Sequence, residues 1–501
     1  MAELLKQQHN LVVLELSLDR LSSSASSCGS TVFKLEVSGT SLFEIKADCQ
    51  EMGLPNNLRE AREYRYNEPI YTIPEIVMQE LQKRLPGVLD PGIPLWLQLA
   101  NDCGILPLVP WERLLQPRLR VPILRLPYFA IKPFSPTSSF LDIILCASTP
   151  VAKEPIPVEV LLDTLTRRLL EIVQRDSVII HVFADAFVYN NLQSFLQDRL
   201  ALTNGKGVRL YNPADAATYA PTSSSGSIRE TPGHLENPWL LWMIDSLRGH
   251  SVDAIHFICH GYLSADLGSL AFATTPTHNE DRRWALFVGA QQLMTFSTHL
   301  GASSVGFSSP ERNYSELGLR LLADQLARLR PGPVLLQEVR GDPGCQTLAE
   351  VYSFLNDEMR DMPPSSSALA LYCHPSRVKQ IAQQPGDINQ ESILNQYTLA
   401  KGETLKMMES KENTPPWVAS SQRYLEQSVA ELIETEPTSS SSEPSATRQG
   451  VEEALRACKK ITFFRTMHHH PLQQGNRKVS SLANSLLLLN FRMRLRPRSD
   501  G

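Results

Sequence analysis

The chain has 501 residues, an apolar fraction of 42%, a charged fraction of 20% and a formal net charge of −5. This is the composition of a water-soluble globular protein, long enough for two to four domains, and its charge gives no reason to expect nucleic acid as the main partner. Eight cysteines at wide, irregular intervals, with no C-x-x-C pair, exclude a zinc ribbon and a compact disulfide scaffold and read as reduced thiols of a cytoplasmic protein.

The first residues, MAELLKQQHNLVVLELSLDR, meet an acidic side chain early and lack the long apolar core of a signal peptide. Residues 10–50 read as β. Phe33, Leu35 and Val37 alternate with Lys34 and Glu36, and after Ser38-Gly39-Thr40 the alternation resumes at Phe43 and Ile45. This predicts a half-buried hairpin, taken as part of a small N-terminal β-rich element over residues 1–69.

From residue 70 the pattern changes. A helix opens at Ile73-Pro74-Glu75 and stops at Pro86-Gly87, and Leu95–Leu99 follows as a strand. Further strands are expected at Leu141–Cys146, Val178–Phe183, Val208–Tyr211, Ala254–Ile258, Ser304–Ser308, Val334–Glu338 and Ala368–Tyr372. Between them lie helical stripes such as Val158, Leu161, Leu162, Leu165 and Leu169, and Leu322, Leu326 and Leu329. Short apolar strands alternating with amphipathic helices predict an α/β domain over residues 70–376, with a mostly parallel central sheet in three layers.

Beyond residue 376 regularity fades. Residues 377–434 read as a helical extension. Residues 435–501 read as a low-complexity, partly disordered linker and tail, in which the last 51 residues carry ten Lys/Arg against three Asp/Glu. His468–His470 read as solvated tail residues, and Trp417 as an aromatic able to dock on the protein or on a partner. No cofactor, no metal site, no internal repeat and no membrane span is expected.

In an open parallel sheet, sites form where strands end at their carboxyl edge. The Ala254 strand leaves into Cys259-His260-Gly261, where Gly261 would permit a sharp exit. The Ser304 strand leaves into Ser309-Pro310-Glu311. If these strands are neighbours, a histidine faces a serine across two strand ends, the geometry of a base and a nucleophile. His256, two residues before the strand end, reads as a packed core histidine. Cys259 would point away from His260, since neighbours on an extended chain face opposite sides. Cys345, in Gly341-Asp342-Pro343-Gly344-Cys345, is the cysteine placed at another carboxyl edge of the sheet.

Three segments carry a resemblance. They are Val252-Asp253-Ala254-Ile255-His256-Phe257-Ile258-Cys259-His260-Gly261 followed by Gly268-Ser269-Leu270-Ala271-Phe272; Leu106-Pro107-Leu108-Val109-Pro110-Trp111-Glu112-Arg113-Leu114-Leu115; and Val351-Tyr352-Ser353-Phe354-Leu355. In order and spacing they resemble the CHAT domain family, peptidases of caspase-like fold often found with tetratricopeptide repeats. The resemblance implies a caspase-like fold over residues 70–376, His260 at the catalytic histidine position, and a nucleophilic cysteine at the end of the following strand. The equivalent position here holds Ser309, or Pro310 with a one-residue shift, and neither is a thiol. The resemblance therefore implies a pseudoenzyme acting as a signalling or interaction module. The alternative is an endopeptidase using His260 with Ser309 or a displaced cysteine such as Cys345, with Asp185 or Glu311 as candidate orienting acids. Its partner would be a protein or a peptide substrate. Trp111 and Glu112 read as a structural corner, with Trp as core filler and Glu satisfying a backbone donor.

Overall fold

The structure is a computed structural model. It describes residues 5–6, 9–19, 29–65, 70–100, 104–129, 140–150, 156–200, 205–219, 235–247, 250–264, 267–277, 284–309, 313–356 and 362–378. The expected helical extension beyond residue 378, the linker and the basic tail, with Trp417 and His468–His470, lie outside the described residues, as do Pro310 and Glu311.

The strands, in chain order, are β1 Val12–Asp19, β2 Ser30–Val37, β3 Thr40–Asp48, β4 Leu95–Leu99, β5 Ile123–Arg125, β6 Phe140–Ala147, β7 Ser177–Ala184, β8 Lys206–Tyr211, β9 Ala254–Ile258, β10 His260–Leu263, β11 Gly268–Ala273, β12 Ala285–Gly289, β13 Ser304–Ser309, β14 Val334–Glu338 and β15 Leu369–Tyr372. The helices are α1 Leu58–Ala61, α2 Glu75–Arg84, α3 Trp111–Leu119, α4 Val158–Ile172, α5 Ala186–Phe195, α6 Pro238–Leu247, α7 Ala290–His299, α8 Asn313–Leu329 and α9 Gln346–Asn356.

Twelve of these strands form one sheet in the order β3-β2-β1-β4-β5-β15-β14-β13-β9-β6-β7-β8. The strands from β14 to β8 run parallel to one another. So do β1, β4, β5 and β15, and the two blocks meet antiparallel at β14 and β15. The fold is α/β with a large, mostly parallel mixed sheet. β9 and β13 are neighbours in register from Ala254↔Ser304 to Ile258↔Ser308, so their carboxyl ends open side by side. The hairpin expected in residues 33–45 is present as β2 and β3. Instead of standing beside the main domain, however, the N-terminal strands extend its sheet, because β1 pairs parallel with β4 from Val13↔Trp96 to Leu16↔Leu99. Local alternation reveals a hairpin but not which edge it joins.

Apolar side chains cover the sheet on both faces. On one face α4, α5 and α9 pack over β6, β7 and β9 through Leu162, Leu169, Val188, Leu192, Val351 and Phe354. On the other, α6, α7 and α8 cover the same strands through Trp239, Trp242, Phe296, Leu319, Leu322 and Leu326. A separate antiparallel sheet, β10-β11-β12, joins this second layer. Trp111 is core filler as expected: it is buried, its indole N–H donates to the Leu106 carbonyl at 2.9 Å, and its ring meets Phe33 edge-on. Cys146, Cys259, Cys345 and Cys373 are free and buried, but the reading of all thiols as reduced is corrected at Cys49, which is disulfide-bonded. Cys49 directly follows β3, and its N–H donates to the Gly29 carbonyl at 3.4 Å; wide, irregular cysteine spacing does not reveal such a pairing. Among the described residues no helix is long and apolar enough to cross a membrane.

Candidate active site at the carboxyl edge of the sheet

His260 leaves β9 as the first residue of β10 and is partly exposed. Its Nδ1 lies 3.0 Å from the hydroxyl of Ser315, in the first turn of α8. The pair meets because α8 packs on β10 and β11 almost backbone to backbone, which three glycines permit. A Cβ on Gly261 would collide with the Ser315 carbonyl and the Leu319 side chain, and one on Gly268 with the Gly318 carbonyl and the Leu322 N–H. A Cβ on Gly318 would stand 2.6 Å from the Tyr262 backbone. Gly261 does not have the positive φ of a sharp, glycine-only exit; it is small because a helix lies against it.

Ser309 ends β13, wholly buried and in register with Glu338 of β14. Alternation along the strand sets it on the side of Val305 and Phe307, which face the α6–α8 layer. Its neighbour Ser308 faces the opposite layer. There Ser308 Oγ lies 2.8 Å from His256 Nε2 and donates to Gln337 Oε1 at 2.6 Å, while His256 Nδ1 lies 2.9 Å from the Tyr352 hydroxyl. Gln337 donates in turn to the Asp342 carboxylate at 3.0 Å. The chain Tyr352–His256–Ser308–Gln337–Asp342 is buried throughout. Burial lowers His256 to about 3, so it is a neutral imidazole. His256 is thus the packed core histidine expected, though it holds a serine at closer range than His260 does.

The other candidates have structural work. Cys259 is buried among Phe257, Phe272 and their neighbours, with its thiol 3.9 Å from the Cys146 carbonyl. Cys345 is buried beside Leu348 and Ala349, and burial pushes its thiol up to about 11, so it carries almost no thiolate near neutrality. Asp185, at the end of β7, accepts from both the Thr149 N–H (2.8 Å) and its hydroxyl (2.6 Å) and so ties the exit of β6 to that of β7.

Beside Ser315 lies a charged cluster. Glu316 and Arg320, one turn apart on α8, pair at 2.7 Å. Arg320 also pairs with Glu338, and the partly exposed Arg113 reaches Glu316 at 3.4 Å and Glu338 at 3.3 Å. Burial raises the Glu338 carboxyl to about 7, with the like charge of Glu316 adding to it against the pull of Arg320. Behind them Glu112 and Arg125 form a buried two-point pair at 2.6 and 3.0 Å. Glu112 therefore satisfies the Arg125 guanidinium as well as the backbone donor expected, its own N–H. Against the cost of burial, the Arg125 charge holds its carboxyl below the usual range. Among the described residues no group of three His, Cys, Asp or Glu side chains could hold a metal ion.

The fold thus brings His260 to Ser315, and sets Ser309 and Cys345 into packed interiors. Ser315 escaped the sequence reading, although a signal was there: the stripe Leu322, Leu326, Leu329 extends backward through Leu319 to residue 315, the same helix face. Compared with models of protein families and with curated proteins, the chain matches none.

Proposed function

We propose that the chain carries a caspase-like domain of the CHAT type that has lost cysteine-peptidase chemistry and serves in the cytoplasm as a signalling or interaction module for a protein or peptide partner. Several features support the reading. β9 ends at His260-Gly261, and the next strand in sequence to enter the main sheet, β13, is also its neighbour in space. Gly261 and Gly268, both in the first of the three resembling segments, sit where α8 leaves no room for a side chain.

The observation that carries the loss of chemistry is the state of the position where a thiolate is required. Ser309 holds it, with no exposed surface. A hydroxyl ionises far less readily than a thiol and needs access, a base and an orienting group together. The described free cysteines do not replace it. All four are buried, and Cys373 is pushed up to about 12 by burial, as Cys345 is to about 11.

The test is a broad peptide-library cleavage assay with the full chain beside His260→Ala, Ser309→Ala and Cys345→Ala variants. No cleavage above background is expected from any of them. Cleavage by the wild type that is lost in His260→Ala would sink the degenerate reading. Further loss in Ser309→Ala or in Cys345→Ala would identify the nucleophile.

A further inference from the structure

The two outermost strands of the main sheet differ. At one end β8 is six residues long, and its Val208 N–H donates to the Arg199 carbonyl at 2.8 Å. At the other end β3 is nine residues long and pairs with β2 alone among the described strands. Among the described residues, no backbone hydrogen bond joins Thr40–Ala47 to anything outside β2. The outward N–H and C=O groups of β3 therefore form a row of the kind that pairs with another strand. Its side chains sort by face. Phe43 and Ile45 pack, half-buried, on the core to which Val77 and Leu81 of α2 belong, with Ala47 buried on the same face. Glu44, Lys46 and Asp48 are exposed on the other face. The step from Leu35↔Phe43 to Glu36↔Ser41 makes Leu42 a bulge residue, so the straight part of the strand begins at Phe43. Charges on an edge ordinarily repel a second strand. Here they alternate in sign, so attraction or repulsion depends on register.

We propose that β3 is a homodimer interface, pairing antiparallel with β3 of a second copy about a twofold axis through Ile45. A twofold contact uses one patch on both copies, so the patch must complement itself. With the axis at Ile45, Glu44 lies opposite Lys46 of the second copy, and this opposition occurs twice. Ile45 then meets Ile45, and Phe43 meets Ala47. Residues directly opposite share a face, so the apolar face continues unbroken from one copy to the next. Other registers are worse. Moving the axis by one residue sets Glu44 against Glu44, or Lys46 against Lys46. Moving it to Phe43 runs the pairing through the bulge at Leu42. Lys46 already pairs with Asp19 at 2.6 Å, but both are exposed. Such a pair is weak and leaves the ammonium open to a second carboxylate. Stable interfaces bury about 1,200 Å² or more, and one strand on one strand is at the small end. The dimer is therefore reversible, with a dissociation constant on the order of micromolar.

The test is sedimentation equilibrium of the full chain at concentrations that bracket this value, where monomer and dimer should be in exchange. Glu44→Lys and Lys46→Glu each set like charges opposite one another twice. Each should raise the dissociation constant at least about 10-fold. The double variant Glu44→Lys, Lys46→Glu restores the opposition and should restore the dimer. Both side chains are exposed, so thermal unfolding of the variants should stay near wild type. Should a variant fail to fold, hydrogen exchange of the wild type decides instead. The β3 amides should then gain protection as concentration rises, while those of β8 do not. A monomer at every concentration would overturn the proposal. So would β3 amides protected equally at all concentrations, which would mean that the same chain covers its own edge. A dimer indifferent to both charge reversals, or one that the double variant fails to restore, would overturn it as well. Peptide cleavage does not enter this test, so the dimer and the degenerate reading stand or fall separately.

Discussion

Two histidines four residues apart, His256 and His260, each hold a serine hydroxyl, and they stand in opposite circumstances. His256 is inside the sheet, bonded at 2.8 Å to Ser308 and at 2.9 Å to Tyr352, with no exposed surface. His260 is at the edge, bonded at 3.0 Å to Ser315 and partly open to solvent. By distance alone the interior pair is the better dyad. It cannot be a site, because no substrate reaches it and because burial keeps the imidazole from taking up a proton until about pH 3. A base that cannot accept a proton near neutrality does no acid–base work. The comparison shows that a His–Ser hydrogen bond identifies chemistry only when access and proton affinity accompany it. Without them it is a way of satisfying buried polar groups.

The contrast should appear most strongly in stability. His256→Ala leaves a cavity beneath Gly306 and strands the Tyr352 hydroxyl in the core, while Ser308 keeps its bond to Gln337. A loss of about 3–5 kcal/mol is expected, by analogy with large-to-small core substitutions and orphaned polar groups. His260→Ala, at the partly solvated edge, should cost under about 1 kcal/mol. Urea unfolding of both variants checks this, and comparable losses would mean that the two pairs do not differ as described.

The next effect is pH dependence. The folded-state value of His256, about 3, lies below the ordinary value of 6.5. Between those limits the unfolded chain binds a proton that the folded chain refuses. The contribution of His256 is therefore complete above about pH 6.5 and declines as pH falls toward 3, by up to about 1.4 kcal/mol per pH unit. Glu338 acts in the opposite sense. Its folded value of about 7 lies above 4.5, so it adds stability as pH falls from 7 toward 4.5. The difference between wild type and His256→Gln isolates the histidine, and the variant should show the shallower acid slope in denaturant melts between pH 6.5 and 5. Parallel curves would show that His256 is charged in the fold.

The smallest effect tests how the edge pair is held. In Gly261→Ala the new methyl group meets the Ser315 carbonyl and the Leu319 side chain, so α8 must retreat from β10. A loss of about 1–3 kcal/mol is expected from overpacking, with protection of the β10 amides against hydrogen exchange reduced. Unchanged exchange and stability would show that the close approach of α8 is not what positions Ser315.

The sequence by itself was enough for the elements whose information is local. Leu95–Leu99, Ala254–Ile258 and Val334–Glu338 are strands with the expected limits, because an apolar run bounded by turn residues marks a buried strand wherever it lies. The positions of His260 and Ser309 at strand ends were legible for the same reason. The joining of β1 to β4, which draws the N-terminal strands into the main sheet, was not, since pairing between distant strands leaves no local trace. Nor was the choice among serines. Ser308, Ser309 and Ser315 all stand after the His260 strand, and only the tertiary structure sends one to His256, buries the second beside Glu338 and carries the third to His260. The physical reason is that a side chain's chemistry depends on which face of its strand or helix it occupies and on what covers that face. Here that is decided by how closely α8 can approach Gly261, Gly268 and Gly318.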